Sequence, residues 1–138
     1  MNTNTETTND DQPLTAAIPW DEFAKADLSS ETFVKLIFVC DGQLAEATIL
    51  WDLLSFHKTR GLDVFRKMSA ADYHAEYGKE IGMDRSIQQS IKNLTGDDLI
   101  EQAQVVRNMP RKFRLNWVAL SHKLVAVNNK LPGLSRGQ

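Results

Sequence analysis

The chain has one cysteine, Cys40, so it can neither close an internal disulfide nor assemble a thiolate metal cage. Cys40 lies in an apolar run, which marks it as a buried structural thiol in a reducing compartment. No apolar run approaches the roughly 20 residues that a membrane-spanning helix needs. The longest, Phe33 to Cys40, is interrupted by Lys35. No Lys or Arg precedes Lys25, so neither a signal peptide nor a basic transit peptide is expected, and the cytoplasm is the expected location. The glycines are isolated at turns: Gly42, Gly61, Gly78, Gly82 and Gly96 form no phosphate-cradling or dinucleotide pattern. His57, His74 and His122 fall on different elements without metal-ligand spacing. No acids pair in an apolar setting that would separate their pKa values. No catalytic site, metal site or cofactor is therefore expected, and the chain is not read as an enzyme.

Acids are also missing from one end. From Arg107 onward there are seven bases and no Asp or Glu. Residues 1–31 hold seven acids against the single base Lys25, a local charge of −6, and the remainder carries +4. The whole-chain net charge of −2 conceals this separation of an acidic tail from a basic surface.

A length of 138 residues suits one domain with a sizeable core. Residues 1–18 are read as a disordered acidic and polar tail, since they hold too little apolar surface to offset the entropy of ordering. The domain proper spans 19–131, and 132–138 form a frayed end. Trp20 and Phe23, on one helical turn, are expected to dock on the domain or on a second subunit. Leu28-Ser29-Ser30-Glu31 offers capping chemistry ahead of Phe33 to Cys40, a run that could be a buried helix or a strand. Leu44 to Lys58 is a helix, with Leu44, Thr48, Trp51 and Ser55 on one line and Ala47, Leu50, Leu54 and His57 beside it. His57, near Lys58 and Arg60, places positive charge where the helix dipole favours it.

The organising stretch is Met68 to Val118. Ser69 can cap a helix whose Tyr73, Tyr77 and Ile81 recur every fourth residue. Gly82 ends it, Asp84 caps a second helix, and Ile87, Ile91 and Leu94 repeat at i, i+4, i+7 along that one. Thr95-Gly96-Asp97-Asp98 breaks the second helix. Leu99 to Val106 is a candidate strand, Asn108-Met109-Pro110 a turn, and Phe113 to Val118 the returning strand. Gly61 to Met68 adds a turn and a short strand, with Val64 toward the core. Val118 to Leu131 closes the chain as an amphipathic helix built on Leu120, Leu124 and Val127. The fold class is mainly α with a small β-hairpin or sheet. Two helices across a glycine turn, then a hairpin, is the order of a winged helix-turn-helix, here with extra N- and C-terminal helices.

Phe33-Val34-Lys35-Leu36, Leu50 to Lys58, Glu80-Ile81-Gly82-Met83, Leu94 to Glu101 and Phe113 to Asn116 occur in an order that resembles the winged-helix domains of phage, plasmid and integrated-element replication and regulatory proteins. The resemblance covers roughly Thr32 to Leu124. It favours the helix over the strand for Phe33 to Cys40. One departure is that the apolar residues of the second helix start one position closer to Gly82 than usual.

What the resemblance implies is sequence-specific binding of double-stranded DNA, by a homodimer, in transcription control or replication of a mobile element. The helix around 85–95 would read bases through Arg85, Ser86, Gln88, Gln89, Lys92 and Asn93, whose side chains match base-edge donors and acceptors. The wing would grip the backbone or minor groove through Arg107, Arg111, Lys112 and Arg114, assisted by Arg66 and Lys67 ahead of the first motif helix. Trp117 could stack on a base, but its period-2 companions Phe113 and Leu115 place it in the core. The alternative is a winged-helix module that binds a protein partner of a replication or defence complex. A small-molecule pocket among Trp51, Trp117 and Tyr77 is a third reading. No membrane partner is expected.

Overall fold

The computed structural model describes residues 15–67, 69–77 and 84–130. Among them are six helices and a three-stranded sheet. In chain order these are α1 (Trp20–Lys25), α2 (Ser30–Val39), α3 (Leu44–Arg60), β1 (Arg66–Lys67), α4 (Ala70–Tyr77), α5 (Asp84–Gly96), β2 (Ile100–Gln102), β3 (Lys112–Leu115) and α6 (Trp117–Lys130). The sheet is antiparallel throughout, with β3 between β1 and β2. Arg66 is opposite Phe113, and Ile100 opposite Leu115. The turn expected at Glu80-Ile81-Gly82-Met83 and the ends of the chain lie outside the described residues, as does the side chain of Asp84.

α3 is the axis. Ala47, Ile49, Leu50, Leu53 and Leu54 are all buried, so the helix is covered on nearly every side by α2, α5 and β3. The buried set differs from the line Leu44, Thr48, Trp51, Ser55: Leu44 and Ser55 are exposed. A helix enclosed by several neighbours has no single apolar stripe to read.

Two acids within α3 are buried, Glu46 and Asp52, and Asp52 is the better connected. Its carboxylate accepts from Arg66 Nε at 2.7 Å and Nη2 at 3.3 Å, from Tyr73 Oη at 3.2 Å and from Tyr77 Oη at 2.8 Å. Burial, together with this carboxylate, pushes both phenols well above their ordinary range, so they remain donors at any working pH. A charge taken out of water is tolerable only with such a set of partners. The network joins α3, β1 and α4.

His57 performs a second tie. It is 1% exposed, and its Nε2 accepts from the Leu115 N–H at 3.1 Å. That acceptor role puts the proton on Nδ1, which donates to the Gly61 carbonyl at 2.8 Å. Burial lowers its pKa, opposed by the Gly61 hydrogen bond. The expected cation at the end of α3 is thus a neutral ring that serves a strand backbone.

Helix ends follow local chemistry. Ser29 Oγ accepts from the Thr32 N–H at 3.3 Å, and the run that could have been a strand is α2. Ser69 and Asp72 cap α4 reciprocally, Asp72 N–H to Ser69 Oγ at 3.2 Å and Ser69 N–H to Asp72 Oδ2 at 3.1 Å. At the end of α5, Asp98 takes φ 61°, the Leu99 N–H reaches Leu94 O at 3.0 Å and the Asp98 N–H reaches Thr95 O at 3.0 Å. α6 starts earlier than the sequence suggested: Asn116 Oδ1 accepts from the Ala119 N–H at 3.3 Å, and Trp117 is helical. The expected strand over 99–106 keeps only 100–102, because Val105 and Val106 have no core beneath them. Val64 is likewise exposed.

The N-terminal part docks on the domain. Trp20 and Phe23 pack on Trp117 at ring separations of 5.0 and 4.7 Å, and Trp117 Nε1 donates to Ile18 O at 2.7 Å. The Ala17 N–H donates to Ser121 Oγ at 3.0 Å, and His122 Nε2 to Thr15 O at 2.8 Å. Residues 15–18, assigned from sequence to the tail, are therefore fastened to α6. Cys40 is buried, and burial pushes its thiol up to about 12, which leaves it unreactive.

Two stability outcomes follow from the buried ties. Asp52→Ala strands Arg66 and two phenols and should cost about 3 kcal/mol, with Tyr77→Phe nearer 1, read as shifts in the urea midpoint at unchanged slope. Because the His57 pKa is lower folded than unfolded, the unfolded chain takes the proton first as pH falls. Stability should be complete above the ordinary value of 6.5 and decline below it. The melting temperature should fall between about pH 7.5 and about pH 5.5, and less so in His57→Gln.

Candidate nucleic-acid interface

α5 leans its apolar side on α3 and α4 and leaves the opposite side open. Ile87 and Leu94 are fully buried and Ile91 is half-buried. Arg85, Ser86, Gln88, Gln89, Lys92 and Asn93 are all exposed, as the helical period requires.

These six side chains do not form one group. Gln88 and Lys92 line a cleft of about 690 Å³ between α5 and the β2–β3 hairpin. Arg111 and Pro110 line it from the hairpin, Ser69 from the start of α4, and Gln102 from the end of β2, over a floor of Ile91 and Phe113. Among the described residues no carboxylate lines it, and its two cations are Lys92 and Arg111. The other side of α5 is tied to α3. Gln89 Nε2 donates to Asn93 Oδ1 at 3.0 Å, and Asn93 Nδ2 donates to the buried Glu46 at 3.0 Å. Asn93 is held by a structural partner, and its exposed surface is what remains.

The expected backbone-gripping cations divide in the same way. Arg107, Arg111 and Lys112 are exposed on the hairpin. Arg66 is committed to Asp52 and covers the Phe56 ring at 5.0 Å. Arg114 donates to Glu101 through Nε at 3.1 Å and Nη2 at 3.0 Å and lies 4.5 Å over the Phe65 ring. Lys67 is exposed, but its depression also holds Asp72 and Glu76, which counter an approaching anion. Arg66 and Arg114 therefore build the sheet. Of the expected wing cations, Arg107, Arg111 and Lys112 are the three exposed near the turn without an ion pair among the described residues.

Gln102, Ser69 and Thr95 line the cleft without having been expected there. A signal existed for Gln102, a polar residue in period with Ile100 on a strand beside the basic turn. Trp51, Trp117 and Tyr77 do not converge: Trp51 meets Phe33, Trp117 meets Trp20 and Phe23, and Tyr77 meets Tyr73. Among the described residues no three His, Cys, Asp or Glu side chains cluster as metal ligands. No described helix is long and apolar enough to cross a membrane. No family model, curated protein or solved structure matches the chain.

The split of α5 sets an expected contrast. Asn93→Ala leaves the buried Glu46 short of a donor and should cost about 1 kcal/mol in chemical denaturation. Gln88→Ala, which removes only an exposed cleft group, should stay within about 0.5 kcal/mol of the parent.

Proposed function

We propose that the chain is a winged helix-turn-helix protein that binds double-stranded DNA in the cytoplasm as a homodimer. On this reading it is a transcriptional regulator or replication-associated factor of a mobile genetic element. The observation that carries the reading is the cation-lined cleft between α5 and the β2–β3 hairpin, to which no described carboxylate contributes. The element order supports it: helix, short strand, two helices, hairpin, with the short strand paired to the second arm of the hairpin. α5 enters the major groove, where Gln88 can pair with adenine and Arg85 or Lys92 with guanine. Arg107, Arg111 and Lys112 take phosphates beside it.

A homodimer needs a surface away from that cleft. Val34 and Phe38 stand exposed on α2. Phe38 borders a groove of about 420 Å³ shared with α6, whose lining carries both Asp41 and Lys123. Opposite charges on one patch suit a two-fold contact, in which each copy meets the complement of its own residues. The same exposed apolar face supports the second reading, a module for a different protein partner.

The deciding experiment is selection from a random duplex pool with the full chain. An enriched palindrome and a steep salt dependence are expected, with half-sites about one helical turn apart. Arg111→Ala/Lys112→Ala should weaken binding equally across sequences and flatten the logarithmic salt slope by about 2. Gln88→Ala should relax base preference at one position of each half-site and leave that slope alone. No retention of any duplex at low salt would transfer the case to the protein-partner reading.

A further inference from the structure

The hairpin between β2 and β3 is longer than its ladder. The last rung is the Ala103 N–H to Lys112 O bond at 3.0 Å, and residues 104–111 project beyond it. The Met109 N–H closes the turn on Val106 O at 3.0 Å, with Asn108 at φ 66°. Pro110 fixes the backbone immediately after the turn. This projecting tip carries the three most exposed large apolar side chains among the described residues: Val105 at 62%, Val106 at 58% and Met109 at 56%. No contact among the described residues buries them. Arg107, Arg111 and Lys112 stand among them, and no acid occurs from Gln102 onward.

A solvated turn needs cations or small polar residues, and it gains nothing from three apolar groups kept in water. A phosphate clamp needs the cations alone. Exposed apolar groups interleaved with cations fit a target that is apolar in the middle and anionic at its rims. A minor groove opened at one base step has that profile, with unstacked base faces inside and phosphates on both edges. Width also matters. Two strands of a hairpin lie about 4.8 Å apart before side chains are counted, against a groove of about 6 Å. The tip can therefore enter only if the groove is forced open. Its position is shared with α5, since Pro110 and Arg111 of the turn line the same cleft as Gln88 and Lys92. Helix and tip thus face one partner. A lipid surface would satisfy the tip's chemistry but leave the cleft's amides without a use.

We propose that the tip is a DNA-bending wedge: Met109 enters a base step of the minor groove next to the major groove that α5 occupies. Val105 and Val106 lie on the sugar walls, and Arg107 and Arg111 hold the flanking phosphates. The inference rests on the DNA-binding reading and adds bending to it. The step entered is a flexible pyrimidine–purine step, TA or CA/TG, at a fixed distance from the bases read by α5.

The test uses the full chain and duplexes of about 30 base pairs recovered by the selection above, labelled at both ends for energy transfer. A fluorescent adenine analogue at the TA or CA/TG step reports unstacking. The parent should shorten the end-to-end distance, consistent with a kink of roughly 20–90°, and raise the analogue's emission several-fold. Met109→Ala should bind within about tenfold of the parent but lose both signals, and Met109→Leu should keep them. Binding without bending by the parent, or full bending by Met109→Ala, would overturn the wedge while leaving DNA recognition intact. Failure to retain duplex DNA at all would remove the DNA-binding reading and the wedge with it. Capture by phosphatidylserine vesicles that is lost in Met109→Asp would reassign the tip to a lipid surface and overturn the wedge.

Discussion

A single buried carboxylate decides where the basic hairpin stands. Asp52 leaves the axial helix α3 and gathers Arg66 from β1 and both tyrosines of α4. Arg66 is also the residue through which β1 registers against Phe113 of β3. The carboxylate therefore fixes the sheet and the helix ahead of α5 to the same support. Hydrophobic burial alone would allow these elements to slide, because apolar contact is non-directional. Four directed hydrogen bonds to one group do not.

That arrangement sorts the charges. The excess of bases after Arg107 looks uniform along the chain, but its members do different work. Arg114, with Glu101 opposite and Phe65 beneath, stiffens the base of the hairpin, as Arg66 does on the other edge of β3. Arg111 faces the cleft and Arg107 and Lys112 face solvent. A stiff base and a charged, apolar tip are complementary properties. The first resists bending of the hairpin, so that load applied at the second is transmitted to whatever the tip touches.

The class of fold was legible in the sequence because periodicity reports it. Ile87 and Leu94 are spaced as a buried helical face, Phe113 and Leu115 as a buried strand face, and both are found so. The six polar residues of α5 were legible as exposed for the same reason. Periodicity does not report partners across large sequence separations. The Asn93–Glu46 bond spans 47 positions and the His57–Leu115 bond spans 58, so neither leaves a local pattern. Hence the amides of α5 looked equivalent, and His57 looked like a cation placed for the helix dipole. The extent of the strands was misjudged where propensity had no packing behind it. Val105 and Val106 are strong strand formers with no surface to cover, and Asn116 ended β3 by capping a helix. The cleft itself was not legible, since it arises where α5 and the hairpin meet.

The strap formed by residues 15–18 joins positions about a whole domain apart in the chain. Ala17 to Ser121 is a separation of 104, Ile18 to Trp117 one of 99, and Thr15 to His122 one of 107. Contacts of such high order form late, because the loop they close must be ordered before they repay it. During synthesis the strap has no partner until α6 has emerged. Trp20 and Phe23 spend that interval without the Trp117 ring that later covers them. The nascent chain is thus most exposed to misassociation just before α6 is released.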